Sequence, residues 1–581
     1  MVKFNKIKDR TPEETIRKCK SILDDLGITV KEKWFKSADC FFSVCLCINE
    51  SNVGVNGKGS SPDYALASGY GELLERLQNQ YLIFPHFPFH LVDEEERKFY
   101  FCPDEVWGNF EVFKTSFYKL YPVLDMSYEF IFEKLVNAQQ KTKDGNLLMV
   151  PFDDILTNEK YLIPKVFLDL FPGSNGMCSG NSKSETIVQG LSEIAERFVI
   201  RESFNSSYEG KSLEQNQWDV FFPDVVPLLE KLSSRKGVDV YVLDYSKDFN
   251  LPVLGVVYID KVKHKYLVNH GSHPNIQVAL ERCLTELLQG QELDEFDYLI
   301  DFEPREEICS EVEDLKPIFL DRRGNYPFNF FKFDSIQDVN IKVFSSSVDN
   351  SVLEKSLCSL FIQQNKKILV RDCSFLGFNS YQILVPGISE LFHLNRRNLF
   401  VQTKNLAFKN EILQSVNEIA NNIPVEIKDY SEEICKASFD SVIRLPLCKP
   451  SPIGKLPVVF LNIWSALIQK DFRRACDLLD NLLEKNRTSN EYLKTVVQIL
   501  KKSSLHSCKE IMQVYKLFYD DYDDLIDTVL SGRIIGVPFF NCPNCNSCLL
   551  NDICKGKVFF ELQKKLDDLY INFMVSKNGC Q

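Results

Sequence analysis

Two short stretches of the sequence carry the same pattern of acidic and basic residues. Residues 68–76 read S-x-x-x-E-x-x-E-R, and residues 189–197 read Q-x-x-x-E-x-x-E-R. On a helix, positions i, i+4, i+7 and i+8 share one face. Each stretch would therefore align one polar side chain, two glutamates and one arginine, namely Ser68, Glu72, Glu75 and Arg76, and then Gln189, Glu193, Glu196 and Arg197.

Glutamates at this spacing repel each other unless a positive charge lies between them. Carboxylate oxygens from two helices suit Mg²⁺, which keeps some of its waters and takes other ligands from carboxylates and substrate phosphates. An adjacent arginine can bind phosphate oxygens with two parallel hydrogen bonds. The pattern therefore predicts a site for Mg²⁺ and phosphate, with Glu72, Glu75, Glu193 and Glu196 on the metal and Arg76 and Arg197 beside it.

A simpler explanation of the pattern is a solvated helix face with ordinary Glu–Arg pairs. The second occurrence, with polar partners at matched offsets, favours a shared site instead. Ser182-x-x-Glu185 is a capping box, which accounts for Glu185 as part of a helix start alone. The sequence has no Walker A loop, dinucleotide fingerprint, H-E-x-x-H motif or nucleophile elbow, and the catalytic residue stays unknown.

Three helices have to position these residues. They are predicted at residues 61–81, 182–202 and 276–289, and the third carries Gln277-x-x-x-Glu281. A further helix is predicted at 11–26, with Thr11 as its N-cap and Pro12 in its first turn. We expect a glycine loop at 55–60 and strands at 41–46, 238–245, 253–259, 340–345, 367–370 and 440–445.

The length of 581 residues predicts more than one domain. Strands and helices alternate up to about residue 450, whereas helical patterns dominate afterwards, at 460–469, 472–484 and 490–501. The break Lys449-Pro-Ser-Pro452 marks the expected boundary. The sequence thus predicts an α+β fold, with a mixed sheet and helix domain at residues 1–450 and a small all-helical, tetratricopeptide-like domain at residues 455–581.

Composition narrows the functional classes. A net charge of −13 argues against binding a nucleic-acid backbone, which needs a basic surface. The sequence shows neither a secretory signal nor a membrane span, so a cytoplasmic location is expected. Most of the 19 cysteines are then reduced. Four of them cluster densely enough to bind Zn²⁺ or an iron–sulfur cluster, with the choice left open: Cys542, Cys545, Cys548 and Cys554.

The segments 57–76 and 179–197 resemble the ATP-binding motifs of the YcaO family, and Gln277-x-x-x-Glu281 resembles its third motif. Residues 8–15 are similar to the opening of the long YcaO proteins, and the resemblance spans about residues 1–440. It implies that ATP and Mg²⁺ are bound. It also implies that Gln277 and Glu281 complete the nucleotide site with Ser68, Arg76 and Arg197, while Lys8 and Thr15 close it from the N-terminus.

The resemblance implies ATP-dependent activation of a backbone amide, in which the amide oxygen is phosphorylated after a nucleophile adds to the carbonyl. A side-chain nucleophile would give an azoline ring and sulfide would give a thioamide. The identity of the nucleophile, the substrate and the product nucleotide, ADP or AMP, stays open.

The final residues 575–581 lack the proline-rich tail of azoline-forming members, which makes ring formation on a peptide natural product less expected. The long subgroup resembles an accessory factor for β-methylthiolation of a small-subunit ribosomal protein. The implied partners are a peptide or protein, such as that ribosomal protein or its methylthiotransferase, and a second copy of the chain in a homodimer. The alternative is a nucleotide-binding module that binds a partner and catalyses no reaction. No nucleic-acid or membrane partner is expected.

Overall fold

The structure is a computed structural model, and it describes only part of the chain. The described residues are 8–35, 41–85, 99–122, 124–171, 173–204, 210–246, 251–287, 289, 299–302, 311–321, 324–333, 349–420, 423–427, 438–449, 458, 460–469, 471–486, 498, 501–502, 510, 514 and 552–578. The chain forms two compact units. One comprises Met1–Ile83, Phe99–Leu406 and Lys564–Gln581, and the other comprises Phe84–Lys98 and Ala407–Gln563. The boundary expected near residue 450 stays a prediction.

The first unit begins with helix α1 (Pro12–Leu26), a three-stranded antiparallel sheet and helix α2 (Pro62–Gln78). Thr11 caps α1 with a full capping box, as the sequence predicted. The sheet has the order β1 (Val30–Phe35), β2 (Phe42–Ile48), β3 (Gly54–Gly59). Ser61 caps α2 by accepting a hydrogen bond from the backbone N–H of Tyr64. The predicted helices at 11–26 and 61–81 and the strand at 41–46 are therefore confirmed.

The glycine loop expected at residues 55–60 is wrong, because these residues form β3. The glycines allow the main chain of β3 to lie directly on α2. A Cβ on Gly57 would come within 2.2 Å of the carbonyl oxygen of Ala65, and a Cβ on Gly59 within 2.6 Å of the Ala65 nitrogen. Close packing of backbone on backbone, rather than freedom to turn, explains these glycines.

A six-stranded sheet follows in the first unit. Its order is β4-β5-β13-β14-β7, with β6 paired to β5, and every pairing is antiparallel. Strand β13 overlaps the strand predicted at 367–370. The strands are β4 (Val106–Gly108), β5 (Leu147–Asp154), β6 (Lys160–Pro164), β7 (Met177–Gly180), β13 (Leu369–Asp372) and β14 (Asn379–Leu384), accompanied by helices α3 (Phe110–Leu120), α4 (Tyr128–Ala138) and α5 (Lys165–Asp169).

A five-stranded antiparallel sheet completes the strand structure of the first unit, in the order β12-β11-β10-β9-β8. Its members are β8 (Lys211–Ser212), β9 (Val238–Asp244), β10 (Val253–Asp260), β11 (Lys265–Ser272) and β12 (Ile300–Asp301). The strands predicted at 238–245 and 253–259 are confirmed. The neighbouring helices are α6 (Lys183–Phe204), α7 (Gln215–Phe221), α8 (Val226–Ser233), α9 (Ile276–Leu287), α10 (Glu311–Asp321) and α11 (Asn350–Gln363), with a 3-10 turn at Phe328–Phe331.

Helices α6 and α9 each have an apolar face that is buried in the core and a polar face on the opposite side. On α6, Ile187, Leu191 and Ile194 are fully buried in one hydrophobic cluster with β11 residues. On α9, Leu280 and Leu284 are fully buried in a second cluster with β10 residues. Burying one stripe of each helix fixes the direction in which its charged residues point.

The remaining helices are α12 (Arg396–Ala420), α13 (Phe439–Ile443), α14 (Phe460–Ile468), α15 (Phe472–Asn486) and α16 (Gly556–Asn578). The strand predicted at 440–445 is wrong. Phe439 and Ile443 lie four residues apart and are both buried, which suits one helical turn, and Phe439 stacks on Trp464. The mixture of helix and sheet is confirmed, whereas the tetratricopeptide label stays a prediction.

Several predictions fall outside the described residues, including the strand at 340–345 and most of the helix at 490–501. Cys542, Cys545 and Cys548 also lie there, while Cys554 is described and is half-buried. None of the helices within the described ranges combines the length and hydropathy needed to cross a lipid bilayer.

Candidate functional site

The predicted site residues meet around one cavity of about 330 Å³ in the first unit. Helices α1, α2, α6 and α9 and strands β3 and β7 supply its walls. Of the residues predicted for the nucleotide and Mg²⁺, all except Gln277 line it: Lys8, Thr15, Ser68, Glu72, Glu75, Arg76, Glu193, Glu196, Arg197 and Glu281. The simpler explanation, two unrelated solvated helix faces, does not describe this structure.

On α2, the arginine of the repeated pattern binds both of its glutamates. The Arg76 guanidinium donates to Glu72 Oε1 at 3.1 Å and to Glu75 Oε1 in a shorter contact. Burial raises the pKa of Glu75 to about 8; the charge of Arg76 opposes that rise, and Glu72 and Glu193 add to it. The α2 carboxylates are thus already neutralised, in part, by their own arginine.

On α6, the same pattern is more open. The Nε atom of Arg197 lies 4.0 Å from Glu193 Oε1 and 4.0 Å from Glu196 Oε1, beyond hydrogen-bond distance. Glu196 is 2% exposed, and its Oε2 atom has no hydrogen-bond partner among the described residues. Burial raises the pKa of Glu196 to about 7, helped by Glu286 and opposed by Arg197 and Arg282. A buried carboxylate oxygen without a partner is a place for a cation or a donor.

Helix α9 presents a polar face to the cavity. The cavity is lined by α9 positions spaced i, i+3, i+4, i+7 and i+8 and by Gln289 beyond the end of the helix; the α9 positions are Val278, Glu281, Arg282, Thr285 and Glu286. Gln277, at the start of the helix, does not line the cavity, and its predicted role stays a prediction. Its backbone N–H instead donates to Asn275 Oδ1 at 2.9 Å, within the helix start.

Two further cations reach this wall, and sequence reasoning missed both. Arg282 donates through Nη1 to Gln189 Oε1 at 2.9 Å, which links α9 to α6. Lys58 of β3 forms an ion pair with Glu286. The i,i+4 spacing of Arg282 and Glu286 and their position on the Glu281 face could have identified them. Lys58 gave no comparable signal, because its partner is distant in sequence.

The N-terminal segment closes over the start of α6. Lys8 Nζ lies 3.2 Å from Glu185 Oε1, and the backbone N–H of Asp9 donates to Glu185 Oε2 at 2.9 Å. The Thr15 hydroxyl lies 2.8 Å from Asn181 Oδ1 and 3.0 Å from the Thr11 carbonyl, and its single hydrogen serves one of them. Lys8 and Thr15 therefore contact the start of α6 and the residue Asn181 before it, and their closure of a nucleotide site stays a prediction.

Glu185 does more than begin a helix. Ser182 Oγ accepts from the backbone N–H of Glu185 at 3.1 Å, which is half of the predicted capping box. The Glu185 side chain, however, contacts Lys8, Asp9 and Asn181. Burial alone would raise the pKa of Glu185, but Lys8 and these hydrogen bonds outweigh burial and lower it. Glu185 therefore stays ionised and anchors the N-terminal segment at the cavity.

The carboxylates suit a cation that shares its ligands with a phosphate. Glu193 raises the pKa of both Glu75 and Glu196, so its carboxylate lies near both. Within the described ranges, no three His, Cys, Asp or Glu side chains enclose a metal by themselves. Mg²⁺ needs only one or two carboxylates besides waters and phosphates, and Glu196, with its unpartnered oxygen, fits that role together with Glu193.

The chain is similar to several known proteins. It is 29% identical over 406 residues to the ribosomal protein S12 methylthiotransferase accessory factor YcaO of Escherichia coli strain K12. It is 28% identical over 393 residues to an uncharacterized protein of Haemophilus influenzae strain Rd. Each alignment covers 66% of this chain and 66% of the relative, so the chain spans about two thirds of the length of the curated relatives it matches.

Among solved structures, a heterocyclase in complex with substrate and cofactor is 17% identical, with 66% of this chain and 53% of that chain covered and a TM-score of 0.45. YcaO from Methanopyrus kandleri bound with AMPPCP and Mg²⁺ is 16% identical, with 66% and 93% covered and a TM-score of 0.41. The family model described as YcaO cyclodehydratase, ATP- and Mg²⁺-binding, matches residues 56–389. Since that match takes in more than half of the chain and both repeated carboxylate patterns, the chain belongs to the YcaO family.

Proposed function

We propose that the cavity binds ATP with Mg²⁺ and that the chain uses the nucleotide to activate a backbone amide of a peptide or protein. The observation that supports this most directly is the convergence of both E-x-x-E-R patterns and the polar face of α9 on one cavity. The family description, which names ATP and Mg²⁺, agrees with the donor set. Carboxylates and guanidinium groups together are what a metal-bound polyphosphate requires.

Each wall would hold a different part of the nucleotide. Glu196 and Glu193, with Glu72 and Glu75 on the opposite helix, would bind Mg²⁺, which neutralises phosphate charge when bound. Arg76 and Arg197 would contact phosphate oxygens, and Lys8 and Thr15 would close the site from the N-terminal side. Ser68, Gln277 and Glu281 were predicted for the nucleotide as well, and Arg282 and Lys58 are added because they line the cavity.

The proposed reaction begins when a nucleophile adds to the amide carbonyl. The resulting oxyanion attacks the terminal phosphate of ATP, and the phosphorylated oxygen later leaves as phosphate. An amide oxygen is a poor leaving group until it is phosphorylated, which explains the need for ATP. The residues of the chain would orient the phosphates and stabilise charge in the transition state, as in other phosphoryl transfers.

The partner is proposed to be a peptide or protein. The name of the Escherichia coli relative, an accessory factor of a ribosomal protein methylthiotransferase, favours a small-subunit ribosomal protein or its methylthiotransferase. The homodimer, the cytoplasmic location and a Zn²⁺ or iron–sulfur site at the C-terminal cysteines stay predictions. Metal analysis of the purified full-length chain tests the last of these.

Titration calorimetry with AMPPCP and Mg²⁺ tests the nucleotide site. We expect saturable, Mg²⁺-dependent binding by the wild type and about 100-fold weaker binding by Glu196→Gln. The control variant Glu133→Gln, whose side chain is 66% exposed on α4, should bind like the wild type. A folded wild-type chain that binds no nucleotide would overturn the proposal.

Release of phosphate from ATP separates the two functional classes. We expect phosphate release that increases with a substrate peptide and is abolished in Glu75→Gln and Glu196→Gln while the fold stays intact. Binding of AMPPCP without any phosphate release, with candidate partners and sulfide present, would instead identify a non-catalytic module that binds a partner.

A further inference from the structure

Two cysteine side chains lie together on the outer face of the first sheet. Cys45 and Cys47 both belong to β2, where residues two apart point to the same side. Their sulfur atoms are 3.6 Å apart, and neither is in a disulfide. The other side of β2 faces the core, where Val44 and Leu46 are fully buried. Because both cysteines are only half-buried, small molecules in solution can reach them.

The neighbouring strands place positive charge beside the two thiols and leave one approach open. On β1, Lys33 is opposite Cys45 and Lys31 is opposite Cys47, and both lysines are exposed. On β3, Gly54 is opposite Cys47, so no side chain covers that sulfur from β3. A Cβ at Gly54 would collide with the carbonyl oxygen of Leu46, which keeps this approach open.

The two sulfurs differ in their protonation. The two thiols share one hydrogen bond in which either sulfur can be the donor. With Cys45 as the donor, this bond lowers the pKa of Cys47 to about 6. Partial burial opposes that effect, whereas Lys31 and Lys33 add to it. The same hydrogen bond raises the pKa of Cys45. One thiolate, the nucleophilic form of a cysteine, is therefore favoured in the pair, and we assign it to Cys47, which faces Gly54 on β3, whereas Cys45 faces Asn56.

We propose that Cys45 and Cys47 form a thiol–disulfide exchange site for small disulfides, with Cys47 as the attacking residue and Cys45 as the resolving residue. The Cys47 thiolate attacks one sulfur of a disulfide R–S–S–R, forms a mixed disulfide and releases RS⁻. Cys45 then loses its proton and attacks the Cys47 sulfur, which releases the second RS⁻. The two cysteines lose two electrons, and the small disulfide is reduced to two thiols.

The strand geometry makes this exchange reversible. Residues two apart on a strand have Cα atoms about 6.7 Å apart, at the upper end of the roughly 4.4–6.8 Å seen in disulfides. Their Cβ atoms point the same way and are about as far apart, whereas a disulfide needs roughly 3.5–4.5 Å between Cβ atoms, so β2 has to bend locally. Closing the Cys45–Cys47 bond therefore strains β2, and strained, exposed disulfides are easily reduced. Strand β3 pairs with β2 and carries Lys58 to the cavity wall, so the strain would arise next to the candidate site.

Oxidised glutathione is the probe. The reduced full-length chain is incubated with it at pH 6, quenched in acid, alkylated and mapped by mass spectrometry. We expect the wild type to accumulate a Cys45–Cys47 disulfide and Cys45→Ser to stop at a mixed disulfide on Cys47. At pH 6 Cys47 should react roughly tenfold faster than an ordinary exposed thiol, since its larger thiolate fraction outweighs its lower intrinsic nucleophilicity.

A matched pair of variants tests the hydrogen bond. Cys45→Ser keeps an O–H donor and should keep the fast reaction of Cys47, whereas Cys45→Ala removes the donor and should slow that reaction several-fold at pH 6. Circular dichroism verifies the fold of both. The proposal is overturned if Cys47 in the wild type reacts with a midpoint near pH 8.5, or if only mixed disulfide accumulates while the chain stays folded.

Discussion

Helices α2 and α6 carry the same E-x-x-E-R pattern but arrange it differently. Arg76 binds both α2 glutamates, with Glu72 Oε1 at 3.1 Å. Arg197 stays 4.0 Å from each α6 glutamate, and Glu196 Oε2 has no hydrogen-bond partner in the described part of the chain. One pattern therefore gives a closed ion cluster on one helix and an open one on the other.

The surroundings of each arginine explain the difference. The guanidinium of Arg76 lies 5.7 Å from the ring centroid of Tyr81, just past the end of its own helix. That of Arg197 lies 5.8 Å from the ring of Phe319 on α10. Arg76 thus contacts a ring next to its own helix, whereas Arg197 contacts a ring on another helix. We infer that the α2 cluster mainly stabilises the fold and that the α6 cluster has capacity for a cation.

The largest expected effect is a loss of stability when each of the two arginines is removed separately. Arg76→Met removes the buried guanidinium that Glu72 and Glu75 share as hydrogen-bond donor, and we expect a loss of about 3 kcal/mol in the free energy of unfolding. Arg197→Met breaks only the longer contacts, and about 1 kcal/mol is expected. Urea unfolding at pH 7 without Mg²⁺ measures both losses. Equal losses would contradict the distinction between the closed and open clusters.

The second effect concerns the binding of Mg²⁺ and nucleotide. Glu196→Gln should weaken AMPPCP binding about 100-fold, or about 2.7 kcal/mol, because the open carboxylate is proposed to bind the cation directly. Glu75→Gln should weaken it only about tenfold, since Glu75 is shared with Arg76. Calorimetry with saturating Mg²⁺ gives both values. A larger loss for Glu75→Gln would reverse the assignment of the cation to α6.

The third effect is a dependence of stability on pH. Since folding raises the pKa of Glu75 from 4.5 to about 8, its contribution to stability is fully present below pH 4.5 and is lost as pH rises through 8. Between pH 6 and pH 8 the loss from this group is about 2 kcal/mol. Urea midpoints without Mg²⁺ should fall over this range in the wild type. The fall should be smaller in Glu75→Gln, and identical slopes would show that Glu75 is not the cause.

The smallest effect should follow removal of the N-terminal cation. The Lys8 side chain is 41% exposed, so water and salt screen its ion pair with Glu185. We expect Lys8→Met to weaken AMPPCP binding about two- to threefold. The matched control is Lys20→Met, which removes an exposed lysine on α1 that pairs with Glu32, and it should have no effect. A tenfold loss in Lys8→Met would show that Lys8 contacts the nucleotide directly.

Local periodicity was enough to predict the helices that build the site. The i, i+4, i+7, i+8 pattern placed Glu72, Glu75 and Arg76 on one face, and the structure brings that face to the cavity. The helix caps at Thr11 and Ser182 could also be predicted from the sequence, because capping depends on residues three positions apart. The helices and caps were predicted well because they depend on residues that are close together along the chain.

Contacts between distant segments were beyond such reasoning. The pairs Lys58–Glu286 and Lys8–Glu185 join parts of the chain that only the fold brings together. Which residues of α9 line the cavity depends on how the helix packs against β10 and β11, and Gln277 is not among them. The contact of Arg197 with Phe319 likewise joins residues that are far apart in sequence.

The backbone contact at Gly57 and Gly59 has a consequence for how this site can change. Where main chain rests on main chain, the separation of Lys58 from the α2 glutamates is set by the dimensions of peptide units, not by the shapes of side chains. Replacing apolar residues elsewhere in the domain can thus lower its melting temperature without displacing Lys58. The two glycines hold β3 at a fixed distance from α2. The arrangement of charged residues in the cavity can therefore be kept while surrounding residues are substituted.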